Sequence, residues 1–369
     1  MVRGMNMTDL KPVRAAALGL NIGSLPRGKR NLISDVPGVR VGHRTIADGD
    51  YQTGVTVIMP PVENPFVHKL TAAAEVINGF GKTLGLVQLD ELGTLETPIA
   101  LTGTLNVGKV HDALVEYMVQ LCRKDDIELT SINPVVGECN DSFLNRLIDR
   151  PVEKEDVFAA IESASADFEL GAVGAGRGTA CHSLKGGIGS SSRIVTLDGK
   201  EYTVGVLVQT NHGRLADFTL LTEPEREQLL HRYDGAAPDK GSCIMVLATD
   251  IPLSDRQLKR VLRRCPVGLI RLGSYIGHGS GEIAIGFSTG NIFDLHDRAA
   301  IQTVHQLDER QIDQVFRAAA EATEEAVLDS MLTAETVTGW KGHTKEALFP
   351  LLRPFLESGE IMPGQLLRR

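Results

Sequence analysis

Three observations on this 369-residue chain predict a mixed α/β fold. Short apolar runs of strand length alternate with helical stripes from one end to the other. With 42% hydrophobic residues the chain can bury a sizeable core, and its 38 glycines suit tight connections between elements. No run is apolar for long enough to cross a bilayer, and neither an internal repeat nor a low-complexity tract breaks the pattern.

The elements follow in order. Val55-Thr56-Val57-Ile58-Met59 reads as a strand. From Val107 to Leu121, the residues Val107, Val110, Leu114, Met118 and Leu121 share one helical face. Val204-Gly205-Val206-Leu207-Val208 is a second strand, closing near Asn211. The turn-rich, charged stretch from Leu221 to Lys240 reads as an exposed loop open to cleavage rather than a domain linker. Cys243 to Ala248 has the length of a core strand. A helix is expected after Ser254, with Gln257 completing a capping pair and Pro266 ending it. Its basic residues Lys259, Arg260, Arg263 and Arg264 form a solvated outer face over Leu258, Val261 and Leu262. Glu282 to Phe287 alternates, putting Ile283, Ile285 and Phe287 on one face and Glu282, Ala284 and Gly286 on the other. A last long helix starts near Asp308, with Gln311 as its capping partner and Ile312, Val315, Phe316, Ala319, Ala322 and Ala326 inward.

Composition narrows the function classes. A net charge of -9 disfavours nucleic acid as a partner, because phosphate neutralisation needs a basic face. Five widely spaced cysteines without a CxxC suit a reducing compartment. The first twenty residues lack the apolar stretch of a signal peptide, so a cytoplasmic location and no membrane partner are expected. The ten histidines show no HExxH or other ligand spacing, and neither metal nor cofactor is expected.

The dipeptide Gly241-Ser242 stands where the polar stretch turns into the Cys243–Ala248 strand. Glycine-serine at such a place is most often only a turn. It is also what a self-cleaving N-terminal nucleophile requires. A cut between the two residues gives one serine both a hydroxyl and a free α-amine, whose reference pKa of about 7.7–8.0 leaves part of it unprotonated at neutral pH. Gly241, lacking a Cβ, can hold a strained conformation and leaves its carbonyl open to attack. Read alone, Ser280 and Glu282 are a polar strand face in water, and Asn211 is an asparagine in a turn.

Motifs in one order along the chain alter that balance. Asp35 to His43 (DVPGVRVGH), Thr53 to Ile58 (TGVTVI), Pro134 to Asp141 (PVVGECND), Lys185 to Gly189 (KGGIG), Gln209 to Gly213 (QTNHG), Gly241 to Leu253 (GSCIMVLATDIPL), Gly277 to Glu282 (GHGSGE) and Gly286 to Asn291 (GFSTGN) resemble the DmpA/BapA family of aminopeptidases. The resemblance runs from about Asn31 to about Gly339. It implies a four-layer αββα sandwich, similar to N-terminal nucleophile hydrolases but differently connected and shared with ornithine acetyltransferase. It further implies one domain, 1–369, self-cleaved into an α chain, 1–241, and a β chain, 242–369. Ser242 is then the nucleophile, Ser280 and Glu282 a proton relay, Asn211 the oxyanion donor and Glu138 the anchor for a substrate ammonium. Asn140 stands where some members have a tyrosine that helps polarise the reacting carbonyl. The implied substrates are small peptides, amides and esters carrying L-, D-alanyl or β-amino acids, and the implied assembly is a homotetramer of αβ units.

Two other readings remain. An acyltransferase resembling ornithine acetyltransferase also matures by self-cleavage, but that family uses threonine where this chain has Ser242. A nucleotide-binding module would use the glycine-rich stretches Gly174 to Thr179 and Gly186 to Ser192, although neither GxGxxG nor GxxxxGK[ST] is present.

Overall fold

In a computed structural model that describes residues 13–221, 227, 230 and 241–358, two β-sheets stack face to face between layers of helix. The smaller sheet has the order β1 (Arg40–Asp48), β2 (Tyr51–Met59), β5 (Ile99–Gly103), β6 (Val135–Cys139). The larger runs β4 (Thr94–Leu95), β3 (His68–Gly79), β12 (Gly281–Asp294), β11 (Ser242–Thr249), β10 (Lys200–Asn211), β9 (Ile188–Leu197). Two-residue strands β7 (Ala180–Cys181) and β8 (Leu184–Lys185) form a small separate hairpin.

Alternation along the strands builds the layers. Ile244, Val246 and Ala248 of β11, with Ile283, Ile285 and Phe287 of β12, fill the space between the sheets against Val41, Ile58, Leu101 and Val135. Cys243, Met245 and Leu247 point the other way, into a core shared with α4 (Asp255–Leu262), α5 (Cys265–Arg271) and α6 (Ile312–Leu332). On the far side α2 (Val107–Lys124) and α3 (Lys154–Glu162) cover the smaller sheet through Val107, Val110, Leu114 and Val157. A short helix, α1 (Leu86–Leu92), lies beside β3, and α7 (Leu348–Ser358) packs on α6. Helix, sheet, sheet, helix is the order that the resemblance implied.

The strands and helices read from the sequence are present, with three local corrections. Ser254 and Gln257 do form a reciprocal cap on α4. That helix stops at Leu262, however, and Pro266 sits in the first turn of α5, where its missing N–H costs nothing. Asp308 caps a short 3₁₀ turn with its side chain accepting from the Arg310 N–H at 2.9 Å, and Gln311 meets it through the backbone alone, its N–H donating to the Asp308 carbonyl at 2.9 Å. Leu121 and Phe316 are half-buried, and Cys122 takes the inward place at the end of α2. The polar loop expected over 221–240 falls almost wholly outside the described residues. None of the described helices is long and apolar enough to cross a membrane.

Candidate active site

Three strands of the larger sheet bring the candidate residues to one end of it. Ser242 is the first residue of β11. On one side it pairs with Asn211, the last residue of antiparallel β10, and on the other with Gly281, the first residue of parallel β12. Ser242 is 6% exposed; its Oγ makes no hydrogen bond of ordinary geometry among the described residues, and the Cys139 thiol lies close enough to interact with it. By alternation it faces the space between the sheets, as Ile244 does.

The residue before it is packed without room for a side chain. A Cβ on Gly241 would lie 1.9 Å from the Asn211 carbonyl oxygen and 2.5 Å from the His212 Cα. Close approach of two backbone segments is what demands glycine here. Sequence reasoning missed a further contact. The Gly281 N–H donates to the Gly241 carbonyl oxygen at 3.0 Å, so the carbonyl preceding Ser242 is already polarised by a backbone donor.

Ser280 and Glu282 flank Gly281 and are fully buried. The Ser280 Oγ donates to Glu282 Oε1 in a short hydrogen bond. Asn78 holds the turn before them, its Nδ2 donating to the Gly277 and Ser280 carbonyls at 2.8 and 2.5 Å. Strand β12 begins at Gly281 rather than extending back through Ser280. In register Glu282 lies opposite Cys243, whose side chain belongs to the helix-side core. No hydrogen bond joins Ser280 or Glu282 to the Ser242 Oγ.

Asn211 has a defined orientation. Its Oδ1 accepts from the Ala180 N–H at 3.1 Å, which leaves its NH₂ as the available donor. Ala180 is itself steadied by Lys185. That side chain is fully buried and its Nζ donates to the carbonyls of Gly176, Thr179 and Gly186 at 2.9, 2.7 and 2.7 Å. Burial pushes the Lys185 ammonium well below its ordinary pKa, and Arg177 adds to this; three carbonyl acceptors offset that cost. The same contacts argue against a phosphate cradle. Carbonyls of the glycine-rich stretch turn inward to the lysine. The N–H groups of Gly174 and Ala175 donate to Thr45 and Thr56 hydroxyls, and that of Gly187 to Thr210.

Across the gap, Glu138 on β6 is 4% exposed. One oxygen accepts from the Lys82 N–H at 3.0 Å, the other from the Thr104 hydroxyl in a short bond. Both partners depend on strand register and gave no sequence signal. Asn140, just past β6, is exposed, and its Oδ1 accepts from the Ser142 N–H at 3.0 Å. Gln209 ties the sheets together, donating to the Thr102 and Ala175 carbonyls at 3.1 and 2.9 Å. Beside it the Cys139 thiol donates to the Gln209 carbonyl at 3.3 Å, and burial pushes its pKa far up, so it stays a thiol. Asp141 is a buried carboxyl that sequence reasoning passed over. Burial raises its pKa to about 6 although the Thr53 hydroxyl donates to it at 2.5 Å.

The comparisons with known proteins agree with this architecture. The model of peptidase family S58 matches residues 31–345. The chain is 37% identical over 349 residues to the β-peptidyl aminopeptidase BapA of Sphingosinicella xenopeptidilytica, covering 88% of this chain and 86% of that one. Among solved structures, the PH0078 protein from Pyrococcus horikoshii OT3 superposes with a TM-score of 0.87 at 44% identity, covering 94% of this chain and 99% of that one. The L-aminopeptidase D-Ala-esterase/amidase from Ochrobactrum anthropi, described as a prototype for the serine aminopeptidases and a new variant among the Ntn hydrolase fold, gives 0.86 at 32% identity over 95% of this chain and 100% of that one. Sheet layering and these matches define a hydrolase, an aminopeptidase. More narrowly, the chain belongs to peptidase family S58.

Proposed function

We propose that this aminopeptidase matures by cutting itself between Gly241 and Ser242, and that Ser242 then serves as its nucleophile. The observation that carries this reading is the seating of Ser242: a buried hydroxyl at the head of a central strand, next to a carbonyl held by the Gly281 N–H at 3.0 Å. In maturation the Ser242 Oγ attacks the Gly241 carbonyl carbon, with the Gly281 N–H stabilising the oxyanion. The C–N bond breaks in an N-to-O acyl shift. Water then hydrolyses the ester, leaving the Gly241 carboxylate and the free amine of Ser242.

In turnover, Glu138 pairs with the substrate's ammonium and places its carbonyl over Ser242. The Asn211 amide N–H stabilises the developing oxyanion. The proton leaving the Ser242 hydroxyl passes to the Ser280–Glu282 pair or to the α-amine, and then to the departing amine. Water releases the acylated serine by the same route in reverse.

The substrates proposed are small peptides, amides and esters with a free amino terminus. A relative named as a β-peptidyl aminopeptidase and a neighbour named as an L-aminopeptidase D-Ala-esterase/amidase support β-amino, L- and D-alanyl residues alike. A serine rather than a threonine at position 242 argues against the acetyltransferase reading. By the same reading the processed units assemble as a homotetramer in the cytoplasm, which sedimentation of the matured protein and cell fractionation test. Intact mass of the purified wild type beside Ser242→Ala under denaturing conditions tests the whole scheme. Fragments ending at Gly241 and starting at Ser242, absent from the variant, are expected; a wild type and variant cut alike would overturn it.

A further inference from the structure

Behind the end of β10 lies a cluster that the chemistry above leaves unused. Cys181, His182 and His212 are buried, and one donor atom from each lies within 4.8 Å of the others. Sequence spacing conceals the set, because His212 stands thirty residues from its companions. The β7–β8 hairpin delivers the first two. Its turn residues His182 and Ser183 have φ of 45° and 66°, a left-handed region that non-glycine residues seldom occupy. The turn is tied to β10 by the His182 N–H, which donates to the His212 carbonyl at 2.8 Å.

The two imidazoles are differently placed. His182 Nδ1 lies 3.1 Å from the Arg214 carbonyl, a contact in which it is the donor and which fixes the tautomer that presents Nε2. Its ring stacks on Phe218 and meets the His212 ring edge-on, with centroids 5.6 Å apart. His212 is 2% exposed, yet neither of its ring nitrogens has a hydrogen-bond partner among the described residues. A buried imidazole with both nitrogens unsatisfied is an arrangement that folded proteins rarely keep without a reason.

We propose that Cys181, His182 and His212 form a site for one soft or borderline metal ion, Zn²⁺ or Cu⁺, and that its occupancy restrains the residues at the Gly241–Ser242 bond. One thiolate and two neutral imidazoles are donors that these ions favour, and among the described residues no carboxylate that would favour Mg²⁺ belongs to the cluster. Donors bonded to zinc at about 2.0–2.3 Å lie roughly 3.3–3.7 Å from one another, so side-chain torsions must close the cluster by at most about 1.5 Å. On binding, the sulfur–metal bond replaces the Cys181 S–H bond, and the proton leaves to solvent. Three donors complete a trigonal Cu⁺ site, whereas Zn²⁺ retains a water as its fourth ligand.

The coupling follows from packing. The His212 Cα and the Asn211 carbonyl oxygen are the atoms that a Cβ on Gly241 would strike. An ion that fixes the His212 ring restrains the backbone against which Gly241 is seated. Occupancy then slows cutting before Ser242, a consequence that rests on the self-processing reading, whereas binding itself does not.

The experiment uses the full chain carrying Ser242→Ala, which the proposed chemistry cannot cut, stripped with a chelator. Zn²⁺ is titrated against a chromophoric chelator, Cu⁺ likewise without oxygen, and Mg²⁺ serves as control. Each ion is added to the folded chain and, separately, during refolding. One ion per chain is expected, with affinity falling at least about 100-fold in both Cys181→Ser and His212→Gln. Whichever of the two ions binds more tightly identifies the occupant, and Co²⁺ should show a thiolate charge-transfer band. Near-ultraviolet circular dichroism identifies a variant that has failed to fold, in which case the other variant decides. No binding in either arm, or equal binding in the folded variants, would overturn the site. The same ion added to refolding Ser242-containing chain should slow cutting at least tenfold, but not in Cys181→Ser; a bound ion with unchanged cutting overturns the coupling alone.

Discussion

Replacing Gly241 with alanine tests the proposed maturation through geometry alone, leaving every polar group in place. The new Cβ would start 1.9 Å from the Asn211 carbonyl oxygen and 2.5 Å from the His212 Cα. Both are backbone atoms of the neighbouring strand, so no flexible side chain can swing aside. Contacts of this kind are not seen below 3.0 Å, and the start of β11 must shift by about 1 Å. Such a shift loosens the 3.0 Å bond from the Gly281 N–H to the Gly241 carbonyl and displaces the Ser242 hydroxyl from its line of attack. Misplacement by about 1 Å typically costs a reaction on the order of 10²-fold, while overpacking of this size costs about 1–3 kcal/mol of stability. The folded variant should therefore mature at least about 100-fold more slowly than wild type. Intact mass and denaturing gels, followed over time after refolding, measure the rate. Gly108→Ala is the internal control: nothing lies within 4 Å of its Cβ, and it sits in α2. It should process normally and gain about 1 kcal/mol of helix stability. If Gly241→Ala cuts between residues 241 and 242 at the wild-type rate, the packing has no part in maturation and the reasoning fails.

Further expectations concern the charges around the site. Glu282→Gln removes the carboxylate that accepts from Ser280 and should lower kcat by about 10²–10⁴-fold with little change in melting temperature; unaltered kcat would remove the pair from proton transfer. Glu138→Gln can still accept from the Lys82 N–H but no longer carries a charge for an ammonium. KM for free-amine substrates should rise about 10–100-fold, and a wild type that hydrolyses N-acetylated substrates equally well would refute the anchor. Asp141 has a folded pKa of about 6 against 3.8 for the free carboxyl, so its contribution to stability is intact below about pH 4 and is lost as pH rises through 6. In an uncut Ser242→Ala background, Asp141→Asn should match its parent near pH 4 and exceed it by about 3 kcal/mol above pH 7. Denaturant unfolding across that range checks this, and a constant difference would show that Asp141 does not titrate with folding.

Much of the layering was legible because periodicity is local. The stripe of α2, the apolar centres of β2, β10 and β11 and the reciprocal cap of Ser254 with Gln257 need only neighbours along the chain. What escaped depends on partners far away. Glu321, Glu325 and Asp329 are buried on α6, an arrangement no helical pattern suggests, because Arg193, Arg27 and Arg14 reach them from distant segments. In the candidate site, the strand pattern marked the place of Ser242, whereas Asn211, Ser280, Glu282 and Glu138 were marked only by the family resemblance. The Gly281 donor, the Thr104 hydroxyl and the Lys82 N–H on Glu138 were marked by neither, since each follows from a register between strands. At Gly241, crowding by the Asn211 and His212 backbone is a reason for glycine that no local pattern reveals.

Strand order in the larger sheet has one more consequence. Everything after Ser242 contributes β11 and β12, which occupy the middle of the sheet, while β3 and β4 on one edge and β9 and β10 on the other come from the part before it. A cut at that point would leave two polypeptides interleaved like the fingers of clasped hands, each lacking the half that completes its hydrogen-bond ladder. Neither piece can complete the larger sheet by itself, although the smaller one, β1, β2, β5 and β6, lies wholly before the cut. Under the proposed self-processing, assembly therefore comes first and scission second, and the break is a step that the severed halves have no simple path to retrace once they are unfolded and parted.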